Sequence, residues 1–254
     1  WRQGTLMMGG EPVLVPLAPD GAYDLDAILA AIGPRTKIVV IVSPNNPTGA
    51  AVTPHALEAF LDRVPGHVLT VLDEAYFEYL PSGSHDGAEL LRSGRPLAVT
   101  RTFSKVFGLA GLRIGYLMAD PALLGALARV RNVFDVSTVA QAAAIATLSE
   151  ADAHLPERLA LNVAERARVD AALRGLGLAP LPSDANFLFV DLGSAERAGA
   201  AFESLINLGV IVRPARGFGA PTAIRVTIGW PYENDRFLRV LNDVLPTLPS
   251  LARN

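Results

Sequence analysis

Short runs of apolar, largely β-branched residues alternate with longer mixed segments along the first half of the chain. Such runs are typical of strands that are buried on both faces of a sheet. They lie at 37–42, 68–72, 97–100 and 114–118, and a further short strand is predicted at 13–17. The intervals between them are long enough for helices.

Capping residues mark where two of these helices begin. Asp24 is the predicted N-cap of a helix that runs to about Ile32. Thr53 and Pro54 begin another helix, which runs to about Arg63. Strands and helices in alternation favour an α/β domain with a largely parallel sheet.

From Pro121 onward the pattern becomes mainly helical. Helices are predicted at 121–131, 138–151, 155–174, 195–207 and 232–244, with strands at 186–191, 210–212 and 224–228. The second half therefore predicts a smaller α+β domain at 151–254, hinged near the long helix. The larger α/β domain would occupy 1–150.

Three polar residues follow directly after predicted strands of the first domain: Asn46, Asp73 and Lys105. In open α/β sheets, ligands bind outside the carboxyl ends of the strands. We therefore expect these three side chains to mark a binding site at one edge of the sheet.

Lys105 stands in an apolar stretch of small residues, and Arg113 follows eight positions later with no acid between them. Burial disfavours a charged ammonium, so a lysine in this setting becomes a usable amine nucleophile for Schiff-base chemistry. The alternative interpretation is an ordinary lysine on a surface loop.

Asp73 follows an apolar strand, so its carboxylate begins at the edge of a core and needs a cationic or hydrogen-bonding partner. It could hold a protonated heteroaromatic nitrogen, with the hydroxyl of Tyr76 near the same ring. An ion pair with a nearby arginine is the alternative. Asn45 and Asn46 offer amide donors, although their proline-rich loop is also consistent with a plain turn.

Other side chains near Lys105 suit an anion. The hydroxyls of Thr102 and Ser104 fit phosphate oxygens, and Arg113 can form forked contacts with a phosphate or a carboxylate. In the second half, Arg225 lies within an apolar strand and must meet an acid or an anionic ligand. Arg213 is a further candidate for an anionic group.

Composition excludes several classes of protein. The chain has 254 residues, of which half are hydrophobic and 19% charged, with a net charge of −3 and no cysteine. There is no dense basic run for nucleic acid, no thiolate chemistry, no histidine spacing for a metal and no apolar run for a membrane span. The balance fits a cytoplasmic enzyme that acts on small molecules.

Four stretches of the chain resemble the pyridoxal-phosphate (PLP)-dependent aminotransferases of the aspartate aminotransferase fold, which is fold type I. They are SPNNPTG at 43–49, VLDEAY at 71–76, TFSKVFGLAGLRIG at 102–115 and AIRVTIG at 223–229. Within this family the chain is most similar to histidinol-phosphate aminotransferases, from GGEP at 9–12, DANF at 184–187 and GVIVRP at 209–214. The order and spacing match over essentially the whole chain.

The resemblance implies a role for each candidate residue. Lys105 would bond to the cofactor pyridoxal 5′-phosphate and carry the proton, and Asp73 would keep the ring nitrogen protonated. The remaining residues would bind the ring oxygen (Asn46, Tyr76), the cofactor phosphate (Thr102, Ser104, Arg113) and the substrate (Arg225, Arg213, Asn46). No metal is implied.

The resemblance also implies a reaction. The enzyme would move an amino group between histidinol phosphate and the 2-oxoglutarate/glutamate pair in histidine biosynthesis, as a cytoplasmic homodimer. An aromatic amino acid aminotransferase, a threonine-phosphate-type decarboxylase and a non-catalytic regulatory PLP-binding module remain open. Relatives carry a further N-terminal segment with a phosphate loop, a stacking ring and an arm that reaches the partner, so activity is expected only with that segment.

Overall fold

The computed structural model describes residues 1–250 and divides into two compact units. Unit 1 comprises Trp1–Pro44 and Ala51–Ala151. Unit 2 comprises Asn45–Ala50 together with the chain from Asp152 onward. The predicted domains at 1–150 and 151–254 stay a prediction, and the last four residues of the second lie outside the described residues.

Unit 1 is built around a four-stranded sheet in the order β1-β2-β3-β4. Strands β1 to β3 are parallel, and β4 pairs antiparallel with β3. The strands are β1 (Ile38–Val42), β2 (Leu69–Asp73), β3 (Leu97–Thr102) and β4 (Gly115–Ala119). The helices are α1 (Arg2–Met7), α2 (Leu25–Ala30), α3 (Pro54–Arg63), α4 (Gly87–Leu90), α5 (Pro121–Ala128) and α6 (Thr138–Ser149).

The predicted caps begin α2 and α3. The Asp24 carboxylate accepts a hydrogen bond from the backbone N–H of Ala27 at 2.8 Å, and the Thr53 hydroxyl accepts one from Ala56 at 3.3 Å. Each cap satisfies a backbone donor that would otherwise have no intrahelical partner. Helix α3 then buries Leu57 and Phe60 in the unit 1 core, which also contains the sheet residues Ile41, Leu72 and Val99.

Unit 2 contains a second four-stranded sheet in the order β5-β6-β8-β7, with every pairing antiparallel. Its strands are β5 (Ala179–Pro180), β6 (Phe187–Asp191), β7 (Arg213–Pro214) and β8 (Ala223–Thr227). Its helices are α7 (Ala151–Gly175, whose first residue belongs to unit 1), α8 (Ala195–Asn207) and α9 (Pro231–Val244). Their apolar faces form one core with the sheet, for example through Leu173, Leu205 and Leu241.

Several predicted elements were wrong in place or type. The strand expected at 13–17 is only an isolated bridge between Leu17 and Tyr23, because no neighbouring strand pairs with the rest of it. In place of the strand expected at 210–212, the structure has β7 at 213–214. Val210 and Val212 are buried in the core, but they precede the strand and are not part of its ladder. Helix α1 was not predicted; it buries no residue, so no apolar periodicity marked it.

Helix α7 begins earlier than predicted and contains Pro156 in its second turn. A proline there removes a single helical hydrogen bond, which a helix of 25 residues tolerates. Within residues 1–250, no helix is both long enough and apolar enough to cross a membrane.

Candidate active site

A cavity of about 300 Å³ lies in unit 1 where β2 and β3 end. The two strands are parallel and Asp73 pairs in register with Thr100, so their carboxyl ends meet at the same edge. The cavity is lined by Asp73, Ala75, Thr100, Arg101, Thr102, Ser104, Lys105 and Arg113. Five of the residues singled out from the sequence are therefore brought together: Asp73, Thr102, Ser104, Lys105 and Arg113.

The Asp73 carboxylate is held by one N–H group on each oxygen. Oδ1 accepts a hydrogen bond from the backbone N–H of Ala75 at 3.1 Å, and Oδ2 accepts one from the indole Nε1–H of Trp1 at 2.9 Å. Both donors are uncharged, in contrast to the arginine of the alternative interpretation. The negative charge of Asp73 is thus oriented without being neutralised by these contacts.

Lys105 lies on the turn at 103–114, which joins β3 to β4. The turn is closed by hydrogen bonds from Gly108 N–H to the Lys105 carbonyl at 2.9 Å and from Phe103 N–H to the Ile114 carbonyl at 3.1 Å. Phe103 and Phe107 are buried with their rings 5.1 Å apart, which anchors the turn in the core. Lys105 itself is half-buried, a smaller degree of burial than the apolar stretch predicted.

Tyr76 lies beside Lys105. Its side chain is buried, and Nζ of Lys105 is 4.8 Å from the centre of its ring. The ring face attracts a cation at this distance and also shields the amine on one side.

Two hydroxyls and one guanidinium among the lining residues can bind an anion. Thr102 Oγ1 lies 2.9 Å from Ser104 Oγ and accepts a hydrogen bond from the Ser104 backbone N–H at 3.1 Å. Arg113 is exposed, has a left-handed backbone with φ of 52°, and donates to the Ala110 carbonyl at 2.9 Å. This contact uses one N–H group of the guanidinium, and the others are chemically suited to bind an anion.

Behind the cavity lies a buried ionic cluster that the sequence analysis missed. Arg101 donates through Nε to Glu74 Oε2 at 2.7 Å and through a terminal nitrogen to Asp86 Oδ1 at 2.6 Å. Its guanidinium also stacks 3.5 Å above the ring of Phe77. Arg101 lines the cavity, but two carboxylates already bind its guanidinium, so Lys105 and Arg113 are the basic side chains of the cavity without such a pair.

Two further titratable side chains belong to this cluster. The ring of His85 lies 3.6 Å from Glu74 Oε1 through Nε2, and burial lowers the pKa of His85, which keeps the imidazole neutral. Glu78 has a buried oxygen without a hydrogen-bond partner among the described residues. Burial raises the pKa of Glu78 to about 7, while Arg101 acts in the opposite direction.

In unit 2 the structure brings Asn46 together with Arg225. A guanidinium N–H of Arg225 donates to Asn46 Oδ1 at 2.6 Å, and the same guanidinium lies 4.9 Å from the centre of the Phe187 ring. The loop that carries Asn46 approaches Ser183 so closely that a Cβ on Gly49 would lie 2.1 Å from the serine oxygen. Gly49 is therefore required for this loop to take its place in unit 2.

Arg213 pairs in register with Arg225 across β7 and β8. Side chains of cross-strand partners emerge on the same face of a sheet, so the two arginines belong to one face. Arg213 is exposed and lies 5.9 Å from the centre of the Phe218 ring. Unit 2 thus presents two cations on one side of its sheet.

No group of three metal-ligating side chains occurs within residues 1–250. The residues that line the unit 1 cavity supply an amine, a carboxylate, hydroxyls and guanidinium groups.

We predict that Glu78 makes the free energy of unfolding fall as the pH rises from about 4.5 to about 7. Its pKa is higher in the folded than in the unfolded chain, so the folded state loses stability when the proton leaves. Glu78→Gln removes this penalty and should be more stable than the wild type at about pH 8, by up to about 3 kcal/mol, and no more stable at about pH 4.

Denaturant unfolding at both pH values measures this difference. The control is Glu58→Gln, which changes an exposed glutamate on α3 and should affect stability equally at both pH values. An equal effect of Glu78→Gln at both pH values would contradict the prediction.

The sequence of the chain matches relatives whose names describe aminotransferases. The profile of the family described as "Aminotransferase class I and II" matches residues 3–241. An aromatic amino acid aminotransferase of Rhodococcus jostii is 51% identical over 235 residues, which cover 92% of this chain and 63% of that protein. Histidinol-phosphate aminotransferase 2 of Pseudomonas fluorescens is 46% identical over 242 residues, which cover 95% of this chain and 64% of that protein.

Solved structures are similar as well. The histidinol-phosphate aminotransferase of Sinorhizobium meliloti in complex with pyridoxal-5′-phosphate superposes with a TM-score of 0.90 at 34% identity, over 97% of this chain and 67% of that one. This likeness confirms the predicted fold class, an α/β fold of the PLP-dependent fold type I with a mostly parallel sheet. The chain spans less than two thirds of the length of the two curated relatives, and it belongs to the class I and II aminotransferase family.

Proposed function

We propose that this chain is the part of an aminotransferase that binds the cofactor pyridoxal 5′-phosphate and the amino substrate. The main support for this proposal is the unit 1 cavity. One space there is lined by the amine of a lysine, the carboxylate of an aspartate, and hydroxyl and guanidinium groups that can bind an anion. The cofactor has an aldehyde, a basic ring nitrogen and a phosphate, and each finds a complementary side chain there.

The polar groups of the cavity fit such a ligand. Lys105 would bond to the aldehyde, Asp73 would pair with the protonated ring nitrogen, and Ser104, Thr102 and Arg113 would hold the phosphate. Thr100 also lines the cavity, and its Oγ1 is buried with no hydrogen-bond partner among the described residues. The fit itself rests on the amine, the carboxylate, the two hydroxyls and the guanidinium that line the same space.

When bound, the cofactor acts as an electron sink for the bond that breaks at the substrate carbon. Once the amine of the substrate had displaced it from the cofactor, the freed Lys105 amine would accept the proton from that carbon and return it at a neighbouring position, since a general base must lie within reach of the proton it moves. Asp73 keeps a negative charge at the ring nitrogen. Tyr76 limits the freedom of the Lys105 amine and excludes water from one side of it.

The two arginines of unit 2 favour a substrate that carries a doubly charged anionic group. Arg225 and Arg213 lie in register on neighbouring strands, and the Asn46 amide oxygen orients one guanidinium of the pair. A phosphate monoester carries close to two charges and three acceptor oxygens, more than one carboxylate offers. We therefore favour histidinol phosphate as the amino donor, with 2-oxoglutarate and glutamate as the exchange pair.

A second candidate is an aromatic amino acid. This candidate is supported by relatives named aromatic amino acid aminotransferase, one of which is 51% identical to this chain. A carboxylate would then occupy Arg225 alone. The predicted homodimer and cytoplasmic location stay predictions.

The chain has only two lysines, which allows a matched test of the cofactor site. Lys105→Ala should abolish the long-wavelength absorption band of amine-bound pyridoxal phosphate and lower transamination at least about a hundredfold, because it removes the bonding amine and the base. Lys37→Ala, which changes an exposed residue just before β1, should leave both unchanged. An unaltered band in Lys105→Ala would contradict the cofactor site.

Arg213→Ala should distinguish the two substrate classes. If both arginines hold a phosphate, its kcat/KM for histidinol phosphate should fall about tenfold or more, as expected for a lost charge-assisted hydrogen bond. Its kcat/KM for phenylalanine should change little. Arg216→Ala, an exposed arginine three residues away, is the control and should affect neither substrate.

Steady-state kinetics with both substrates measure this difference. A wild type that prefers phenylalanine, or an equal loss with both substrates in Arg213→Ala, would contradict the phosphate assignment.

A further inference from the structure

Trp1 contacts Asp73, one of the residues that line the cavity. Its indole Nε1–H donates to Asp73 Oδ2 at 2.9 Å, although the two residues are 72 positions apart in sequence. The rest of the side chain stays largely outside the core, since Trp1 is 59% exposed. The contact is therefore a specific polar one rather than a consequence of apolar packing.

The contact completes the restraint on Asp73. With Ala75 N–H on Oδ1 and the indole N–H on Oδ2, rotation of the carboxylate would break a hydrogen bond on either side. An ionised carboxylate has about four acceptor positions, so the two N–H groups leave room for a further donor.

The chemical nature of the donor matters as much as its position. An arginine or lysine at the same place would form an ion pair and neutralise Asp73. An indole N–H is a donor only and carries no charge. The indole therefore orients the carboxylate without forming an ion pair with it.

We propose that Trp1 is a positioning residue for the cofactor, which acts through Asp73 by fixing the carboxylate for the protonated ring nitrogen. This inference rests on the proposed function, since it needs pyridoxal phosphate in the cavity. Trp1 touches the aspartate and not the reacting atoms. Its loss should therefore weaken the binding of a cofactor that carries the ring nitrogen.

The test removes the indole N–H and the ring nitrogen in turn. Trp1→Phe keeps an aromatic ring and lacks the donor. Dissociation constants are measured in the full protein for pyridoxal phosphate and for an analogue with a C–H group in place of the ring nitrogen. Trp230→Phe is the matched control, because Trp230 is likewise 59% exposed and lies at the start of α9 in unit 2.

We expect Trp1→Phe to weaken the binding of pyridoxal phosphate about tenfold, as for the loss of one hydrogen bond to a charged group, and to leave the binding of the analogue unchanged. Unchanged binding of the analogue also shows that the variant is folded. Trp230→Phe should bind both ligands like the wild type.

Three results would overturn the inference. An equal loss for both ligands would mean that Trp1 only supports the local structure. Tighter binding of pyridoxal phosphate would mean that the indole competes with the ring nitrogen for Asp73, and unchanged binding would mean that the contact has no role in binding. A wild type that binds neither ligand would contradict the proposed function itself.

Discussion

The parallel register of β2 and β3 is the constraint on which the candidate site depends. It sets Asp73 beside Thr100. Thr102 ends β3 two residues later, and Ser104 and Lys105 follow soon after the strand. Since side chains alternate between the two faces of a strand, a shift by one residue would turn Asp73 away from the lysine turn. The acid and the amine can therefore share one cavity only in this register.

A buried ion pair reinforces that register. Glu74 directly follows β2, Arg101 lies within β3, and the two side chains meet at 2.7 Å with the glutamate fully buried. The Glu74 N–H also donates to the Thr100 carbonyl at 2.8 Å, which extends the pairing beyond the end of β2. Loss of one partner from such a pair leaves an uncompensated buried charge, at a cost of about 3–5 kcal/mol. The ionic cluster thus holds the strand ends, while the side chains of Lys105, Asp73 and Arg113 line the cavity.

Local pattern was sufficient to predict most of the strands and most of the helices, because burial on both faces and capping chemistry are local properties. The sequence also located Asp73 and Lys105 at strand ends, where α/β sheets bind ligands. It could not reveal the indole contact on Asp73, which joins residues far apart in the chain and follows no periodicity. The Arg101 cluster was missed for the same reason, since Glu74, His85 and Asp86 acquire their roles only when the chain folds around Arg101. The predicted position of β7 was wrong because the strand has only two residues and the buried β-branched residues lie just before it.

We propose that Lys105 carries the cofactor. Borohydride reduction of the protein with pyridoxal phosphate, followed by peptide mapping, tests this directly, because reduction makes the bond to the amine permanent. We expect one modified peptide, with the pyridoxyl group on Lys105. Modification of Lys37 or of the terminal amino group in place of Lys105 would contradict it.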